Sequence, residues 1–334
     1  MRKITKKQEG RAIKEELLKI LRCPKCKTEL DLKETIYELK EIKSGILICK
    51  KCQKEYKIIN FIPLMVDTLD PCFQKLETVK QWGRQWAEEN FIKNSKYYSK
   101  ELLDLELQEW GLPDKNWFEG KKILDAGCGN GRHCLIFKRF KFACCVAFDL
   151  SGSVYYMLHK KEFEGIHLVR ADIMNPPFED GYFDFVLARQ TLQHTKNAGL
   201  ATKVLTTTLR QEGYFVSSFY KTPEKFTTLC KLRLIQLIRK ILSIFPERFV
   251  YYFTWLSIPC YKYKILYPIA RLIFIQSKYD KSDSTTWGMN HDQYINSYQN
   301  TYTREEVIKF LNDAYLYNHI ESREWPNMFC STKK

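Results

Sequence analysis

Between Lys121 and Arg132 the chain reads KKILDAGCGNGR. Ile123 and Leu124 have the apolar character of the end of a buried strand. Asp125 follows, then glycines at three alternate positions, Gly127, Gly129 and Gly131. Glycine accepts positive φ and leaves no Cβ in the path of a ligand. A strand that ends in such a turn and runs into a helix directs backbone N–H groups at a bound group. Such a strand–turn–helix unit belongs to an open parallel α/β sheet, whose ligands sit at the carboxyl ends of the strands.

The residues that follow keep to that plan. His133–Arg139 reads as a helix, and Ala143–Phe148 as an apolar strand that Asp149 ends, in VAFDLS. His167–Ala171 reads as a third strand, ended by Asp172 in VRADIMNPPF, and Asn175–Phe178 as a rigid turn. Tyr182–Leu187 is expected as a fourth strand, Ala198–Leu209 as a helix, Glu212-Gly213-Tyr214 as a turn and Phe215–Tyr220 as a fifth strand. An ionised carboxylate is acceptor-only, so Asp149 is suited to both hydroxyls of a ribose. The competing reading makes Asp149 a helix N-cap and Asp172 a turn residue.

Asp-x-Gly-x-Gly-x-Gly with acids ending the next two strands resembles class I S-adenosylmethionine-dependent methyltransferases. It differs from the more widely spaced Gly-x-Gly-x-x-Gly of nicotinamide enzymes. The resemblance implies a Rossmann-like sheet with helices on both faces and S-adenosylmethionine as cofactor. It assigns Asp125, Gly127, Gly129 and Gly131 to the loop, Asp149 to the ribose, Asp172 and Ile173 to the adenine, and counts Leu150 among the cofactor-binding residues. It turns the end of the fourth strand toward the methyl donor, which makes Gln190 and His194 the catalytic candidates, with Gln190 also beside the cofactor. Relatives often carry Leu-His-His where this chain has Leu192-Gln193-His194, and Pro-Gly-Gly where it has Glu212-Gly213-Tyr214. His194 either orients an acceptor and takes its proton or caps a helix.

In front of this core, Ala12–Leu21 has helical apolar spacing. Two Cys-x-x-Cys pairs follow, Cys23 with Cys26 and Cys49 with Cys52. Four thiolates from two tight knuckles make the tetrahedral set that Zn²⁺ prefers, and Glu29–Ile48 alternates as a hairpin that would bring them together. A thioredoxin-like redox pair would need a βαβ context that is missing here. LLKILRCPKC followed by ICKKCQKEYKIINFIPLM resembles a family of short zinc-ribbon proteins, one eukaryotic relative of which is a small methyltransferase activator. The resemblance implies a structural Zn²⁺ and, because the ribbon is fused, no obligate protein partner. The expected division is a ribbon domain over 1–66, a linker with leading helices over 67–120, and a methyltransferase domain over 121–334. Asp67–Pro71 is read as a polar turn, and the aromatic run Gln81–Trp86 as packing across the cofactor pocket or buried against the sheet.

The formal net charge of +15 is unevenly placed. Residues 1–57 hold 17 Lys+Arg against 9 Asp+Glu, residues 221–281 hold 12 against 3, and the rest hold 25 against 27. Either basic segment is a solvated surface or attracts phosphate, of RNA or of an anionic lipid surface. Within a basic helical insert over 221–285, Leu234, Leu237, Ile238, Ile241, Leu242 and Phe245 follow helical spacing among Lys231, Arg233, Arg239 and Lys240. No run is long enough to span a bilayer, so the insert is expected as a cap over the site or as a peripheral membrane contact. Residues 286–303, with His291 and Asp292, resemble in degraded form a segment of the fused family. Thr303 and Glu306 form a capping box for Arg304–Tyr315, Tyr317–Glu324 suggests a final strand, and Ser331–Lys334 is expected to be disordered. No apolar leader is visible at Met1, and the paired cysteines suit metal in a reducing cytoplasm.

Three functions remain open on the sequence: methyl transfer to a small-molecule, glycan or lipid-linked acceptor; RNA methylation; and a non-catalytic binding or activator protein that keeps the fold. Ala188-Arg189-Gln190 stands where RNA base methyltransferases carry an Asn/Asp-Pro-Pro-Tyr clamp.

Overall fold

The computed structural model describes residues 15–38, 41–66, 99–114, 116–158, 160–276, 281–295 and 298–334. The readings for residues 67–71 and 81–86, and the first residues of the leading helix, lie outside them.

The ribbon consists of α1 (Glu15–Ile20), β1 (Leu30–Glu38), β2 (Glu41–Cys49), β3 (Glu55–Ile59) and β4 (Ile62–Met65). After α2 (Lys100–Glu109) the core runs β5 (Lys122–Ala126), α3 (Cys134–Phe137), β6 (Cys144–Asp149), α4 (Val154–Leu158), β7 (His167–Ala171), β8 (Phe183–Ala188), α5 (Ala198–Thr207) and β9 (Leu209–Ser218). A short β10 (Tyr220–Lys221) leads into the cap, which comprises α6 (Phe226–Leu242), α7 (Glu247–Trp255), α8 (Ser257–Lys262), α9 (Tyr267–Ile273) and α10 (Asp283–Ile295). β11 (Thr301–Tyr302) closes it, and α11 (Arg304–Asp313), β12 (Leu316–Glu321) and β13 (Met328–Lys333) complete the chain.

Eleven strands form one sheet in the order β1-β2-β3-β4-β7-β6-β5-β8-β9-β13-β12. β4 through β9 are parallel neighbours, and β13 lies antiparallel between β9 and β12. From β5 the chain builds outward through β6 and β7, then returns to β5's other side for β8 and β9. The crevice between the carboxyl ends of β5 and β8 is therefore the topological switch point, where open α/β sheets bind ligands.

Strand residues alternate between the two faces. Leu124, Val146, Phe148, Phe183 and Val186 join a core with Leu17, Leu205, Val307 and Leu311. Ile123, Cys145, Ala147, Phe185 and Leu187 join the opposite core with Leu103, Trp110, Phe137 and Met157. Helices thus cover both faces, as the fold class requires.

The structure corrects four expectations. The turn at Glu212-Gly213-Tyr214 is a bulge inside β9. Leu209 pairs with Phe183 and Tyr214 with Phe185, so the residues between bow out, with Glu212 at φ 58°. The single final strand is two strands. Ser331–Lys334 is largely β-structure, because Ser331 and Thr332 pair with Phe215 and Tyr214 in the sheet interior. The helix after the glycine loop is also shorter than expected, only Cys134–Phe137.

The ribbon is continuous with the core sheet. Leu64 and Met65 pair in parallel with Arg170 and Ala171. Arg22 donates its backbone N–H to the Pro177 carbonyl at 2.9 Å and its guanidinium to Glu179 at 2.8 Å. The rigid turn after β7 is thus where the ribbon docks. The cap is a closed excursion: Tyr220 and Lys221 pair in parallel with Thr301 and Tyr302 at its base.

Candidate active site and metal centre

The glycine loop is wound by its own hydrogen bonds. The N–H groups of Gly127 and Cys128 both donate to the Phe148 carbonyl, at 2.8 and 3.0 Å, and Gly131 donates to the Cys128 carbonyl at 2.9 Å. Gly129 donates to the Asp149 carboxylate at 3.0 Å. The loop therefore presents a fixed curl rather than a row of open donors. Gly127 has φ 73°, and a Cβ there would lie 2.2 Å from the Thr191 methyl. At Gly131, φ 84°, it would strike Met157 and Phe163. Both glycines thus serve close internal packing. Thr191 donates to the Gly127 carbonyl at 3.3 Å, which joins the end of β8 to the loop.

Asp149 ends β6 with each oxygen in use, one accepting from Gly129 and the other from Ser151 N–H at 2.8 Å. Each oxygen keeps a second lone pair, so helix-start and ligand roles are compatible. Asp172 accepts from Met174 N–H at 2.9 Å in the same manner, with Ile173 buried beside it. Leu150 is half-buried, and its carbonyl accepts from Arg170 at 3.0 Å. Asp125 is enclosed at the end of β5. It is buried under the loop and accepts a weak bond from the Cys134 thiol. Burial pushes its carboxyl up to about 7, a rise the Cys134 bond opposes and the charges of Asp149 and Glu106 reinforce.

Gln190 is exposed at the end of β8 and held at φ 53°, a left-handed conformation uncommon for a non-glycine residue. Its N–H donates to Ser218 Oγ at 2.7 Å. His194 lies one turn further on and is tied to the segment that leaves the cap. Its Nδ1 is 2.9 Å from the Tyr298 carbonyl. A carbonyl only accepts, so Nδ1 carries the proton and Nε2 is the acceptor nitrogen. Burial lowers its pKa, against the pull of Asp292 and the Tyr298 carbonyl, so the ring is neutral at pH 7. His291 belongs elsewhere. It is buried inside the cap, stacked on Trp287 at 5.0 Å and 3.2 Å from Thr254 Oγ1, and burial pushes it down to about 4.

Glu106 is a participant that motif reading misses. It is buried on α2, and one oxygen accepts from Arg189 Nε at 2.7 Å and lies 3.1 Å from His133 Nε2. The other oxygen meets the Arg132 guanidinium. Arg132 follows Gly131 and Arg189 precedes Gln190, so one carboxylate ties both sides of the switch point together. Burial would raise its pKa, but Arg132 and Arg189 outweigh that and hold it well below the ordinary range. The available signal was an acid on the apolar face of a helix, in register with Leu102, Leu103 and Trp110.

The ribbon brings its four cysteines together. Cys23 and Cys52 sulfurs lie 3.7 Å apart and Cys26 and Cys49 sulfurs 3.3 Å, with all four within 4.8 Å. A tetrahedral Zn–S bond of about 2.3 Å sets sulfurs roughly 3.8 Å apart, so the set fits a structural metal. Burial raises the Cys49 pKa, but Thr28 and the N–H groups of Cys52 and Lys51 overcome it and bring the thiol to about 6.

Two family descriptions match the chain. Residues 124–217 match the methyltransferase domain, and residues 14–60 match the Trm112p-like protein family. An uncharacterized chloroplastic methyltransferase of Arabidopsis thaliana is 33% identical over 123 residues, covering 34% of this chain and 35% of the relative. A protein of Encephalitozoon cuniculi, also named as a methyltransferase, is 32% identical over 114 residues, covering 32% of this chain and 50% of the relative. The chain therefore matches half or less of the length of these relatives. Among solved structures, a complex of the Haloferax volcanii Trm112 methyltransferase activator with a methyltransferase superposes over 76% of this chain and 97% of that one. It does so at 10% identity and a TM-score of 0.42, too loosely to carry an argument.

Proposed function

Because the chain carries a methyltransferase domain behind a Trm112p-like domain, we propose that it is an S-adenosylmethionine-dependent methyltransferase. Its acceptor in this reading is a small molecule, a glycan or a lipid-linked precursor. The supporting observation is the placement of Asp149 and Asp172 at the ends of adjacent parallel strands, beside a glycine loop at the switch point. The residues present fit the cofactor. Asn130, at the tip of the loop, has a buried side-chain N–H with no hydrogen-bond partner among the described residues, and buried donors without partners call for a ligand or water. In this reading Asp149 receives the ribose hydroxyls, Asp172 the adenine amino group, and Ile173 covers the ring. When bound, the cofactor supplies an activated methyl group on a sulfonium.

The protein's share is positioning for in-line displacement. Gln190 stands at the crevice and His194 holds its proton at Nδ1, so Nε2 is the ring atom suited to take a proton from an acceptor that must lose one. Cys23, Cys26, Cys49 and Cys52 would hold a structural Zn²⁺, which would brace the ribbon whose β4 extends the catalytic sheet. We retain the division into a ribbon over 1–66, a linker with leading helices over 67–120 and a catalytic domain over 121–334.

Labelled-methyl transfer into fractionated cell extract, with calorimetry of cofactor binding, tests the proposal. Label in small molecules or lipids supports it. Label in RNA favours the second reading, an RNA methyltransferase, for which the basic residues of 1–57 speak. A folded protein that binds no cofactor refutes both enzyme readings and leaves the non-catalytic one.

A further inference from the structure

The helices of the cap are apolar on two sides. The inner side forms a small core of Ile235, Leu242, Val250, Ala270, Phe274 and Tyr294. On α6 this buried stripe runs through Ile235, Ile238 and Leu242. A second stripe beside it, Leu234, Leu237, Ile241 and Ile244, follows the same three-and-four spacing but faces solvent, with Ile244 82% exposed and Leu237 56%. Arg233 and Lys240 lie along that stripe's outer edge and are themselves exposed. The pattern recurs. On α7, Phe249, Tyr252, Trp255 and Leu256 are exposed while Val250 and Thr254 are buried. Around α9, Ile265 is 87% exposed, with Tyr263, Ile269 and Leu272 also outward. Phe245 and Phe249 stack at 4.7 Å, which joins the outer sides of α6 and α7. Scattered exposed apolar residues are ordinary, but a clustered set of this extent marks an interaction surface.

The chemistry of the patch selects its partner. Residues 226–276 hold eight Lys and Arg against one acid, Glu247. Exposed Lys225, Arg233, Lys240, Arg248 and Lys264 form no ion pair among the described side chains, whereas Lys262 pairs with Asp283 inside the cap. Two copies of so basic a face repel each other. A nucleic acid backbone offers phosphate but gives Leu237, Ile241, Ile244 and Ile265 nothing to be buried in. An anionic bilayer surface supplies both a phosphate layer for the Lys and Arg and an acyl boundary for the aliphatic and aromatic side chains. No described helix is long and apolar enough to cross a membrane, which leaves lying on the surface. We infer that the outer side of the cap, α6 through α9, is a docking surface for an anionic lipid bilayer, seated by these aliphatic and aromatic side chains and by Arg233, Lys240, Arg248 and Lys264. This goes beyond the catalytic reading and holds whether the methyl acceptor is lipid-linked or soluble.

Co-sedimentation of the full chain with vesicles tests it, comparing mixed phosphatidylglycerol–phosphatidylcholine with phosphatidylcholine alone. The protein is expected to sediment with the anionic vesicles and to remain in solution with the neutral ones. Arg233→Gln with Lys240→Gln should weaken binding roughly 30-fold. Leu237→Gln, Ile244→Gln and Ile265→Gln together should weaken it by about tenfold or more, with an unchanged far-ultraviolet spectrum and melting temperature, because all three side chains are exposed. Loss of binding with the charge pair but not with the aliphatic triple would reduce the contact to charge alone and overturn the seating proposed. Absence of sedimentation with anionic vesicles, or sedimentation unaffected by either set, would overturn it outright. Concentration-dependent dimerisation abolished by the aliphatic triple, without vesicle binding, would assign the surface to a second copy and overturn it too.

Discussion

Replacing Glu106 by Gln tests the tie across the switch point. The carboxylate is 1% exposed, and its two guanidinium partners, Arg132 and Arg189, are 15% and 7% exposed at their side chains. The amide keeps the shape and one acceptor oxygen but removes the charge, leaving two cations facing each other with little access to water. Breaking a buried ion pair by deleting one partner costs about 3–5 kcal/mol, against a total stability of roughly 5–15 kcal/mol for a folded domain. At roughly 2–4 °C per kcal/mol for a chain of this size class, the melting temperature at pH 7 should fall by about 6–20 °C. The pH dependence fixes the cause. The folded pKa of Glu106 is depressed, so its stabilisation is complete above the unfolded carboxyl value of about 4.3 and is lost as pH falls through the folded value. The gap between wild type and variant should therefore narrow as the medium is acidified below about pH 4. Calorimetric melting from pH 3 to pH 8 measures this. The same substitution should weaken cofactor binding, because Arg132 and Arg189 adjoin Gly131 and Gln190. Glu106→Gln combined with Arg189→Met should cost less than the sum of the two single changes, since the second removes one of the stranded cations. A variant that melts within about 2 °C of wild type at pH 7, with a gap that does not change on acidification, would refute the reasoning.

Asp149→Asn should keep an acceptor for Gly129 while losing the charge, and Asp149→Ala should lose both. Cofactor affinity by calorimetry should drop roughly 100-fold in the alanine variant and less in the amide, and equal affinity in all three proteins would remove Asp149 from the site. Asp125→Asn should flatten the stability profile between about pH 4 and pH 7. The raised folded pKa of about 7 means that the wild type is most favoured below the unfolded value and loses stability as pH rises through 7, so a variant that keeps the wild-type slope would contradict the burial argument. Chelation, or Cys49→Ser, should release roughly one zinc per chain by elemental analysis and lower the melting temperature, and a chain purified without metal yet equally stable would exclude a structural zinc.

Much of the core was legible because it rests on local rules. Strand ends at Asp149 and Asp172 can be read from apolar runs that stop at an acid, and the Thr303–Glu306 capping box from two residues three apart; the structure shows its reciprocal hydrogen bonds. The misreadings have long-range causes. Glu212-Gly213-Tyr214 has turn composition, but pairing with β8 on one side and β13 on the other keeps β9 continuous through a bulge. Ser331–Lys334 looks like a polar tail, and only insertion between β9 and β12 gives its backbone partners.

The sequence by itself determined the strand–loop–helix unit at Asp125–Gly131, the two acids that follow it, and the four cysteines with metal spacing, because each depends on neighbours a few residues away. Only the tertiary structure decided that β4 of the ribbon extends the catalytic sheet, that Glu106 ties Arg132 to Arg189, and that the cap keeps an apolar side in solvent. Those depend on which surfaces distant segments cover. A hydrophobic stripe in a sequence states that something will be buried, and only packing shows which of two stripes on one helix finds its cover within the chain.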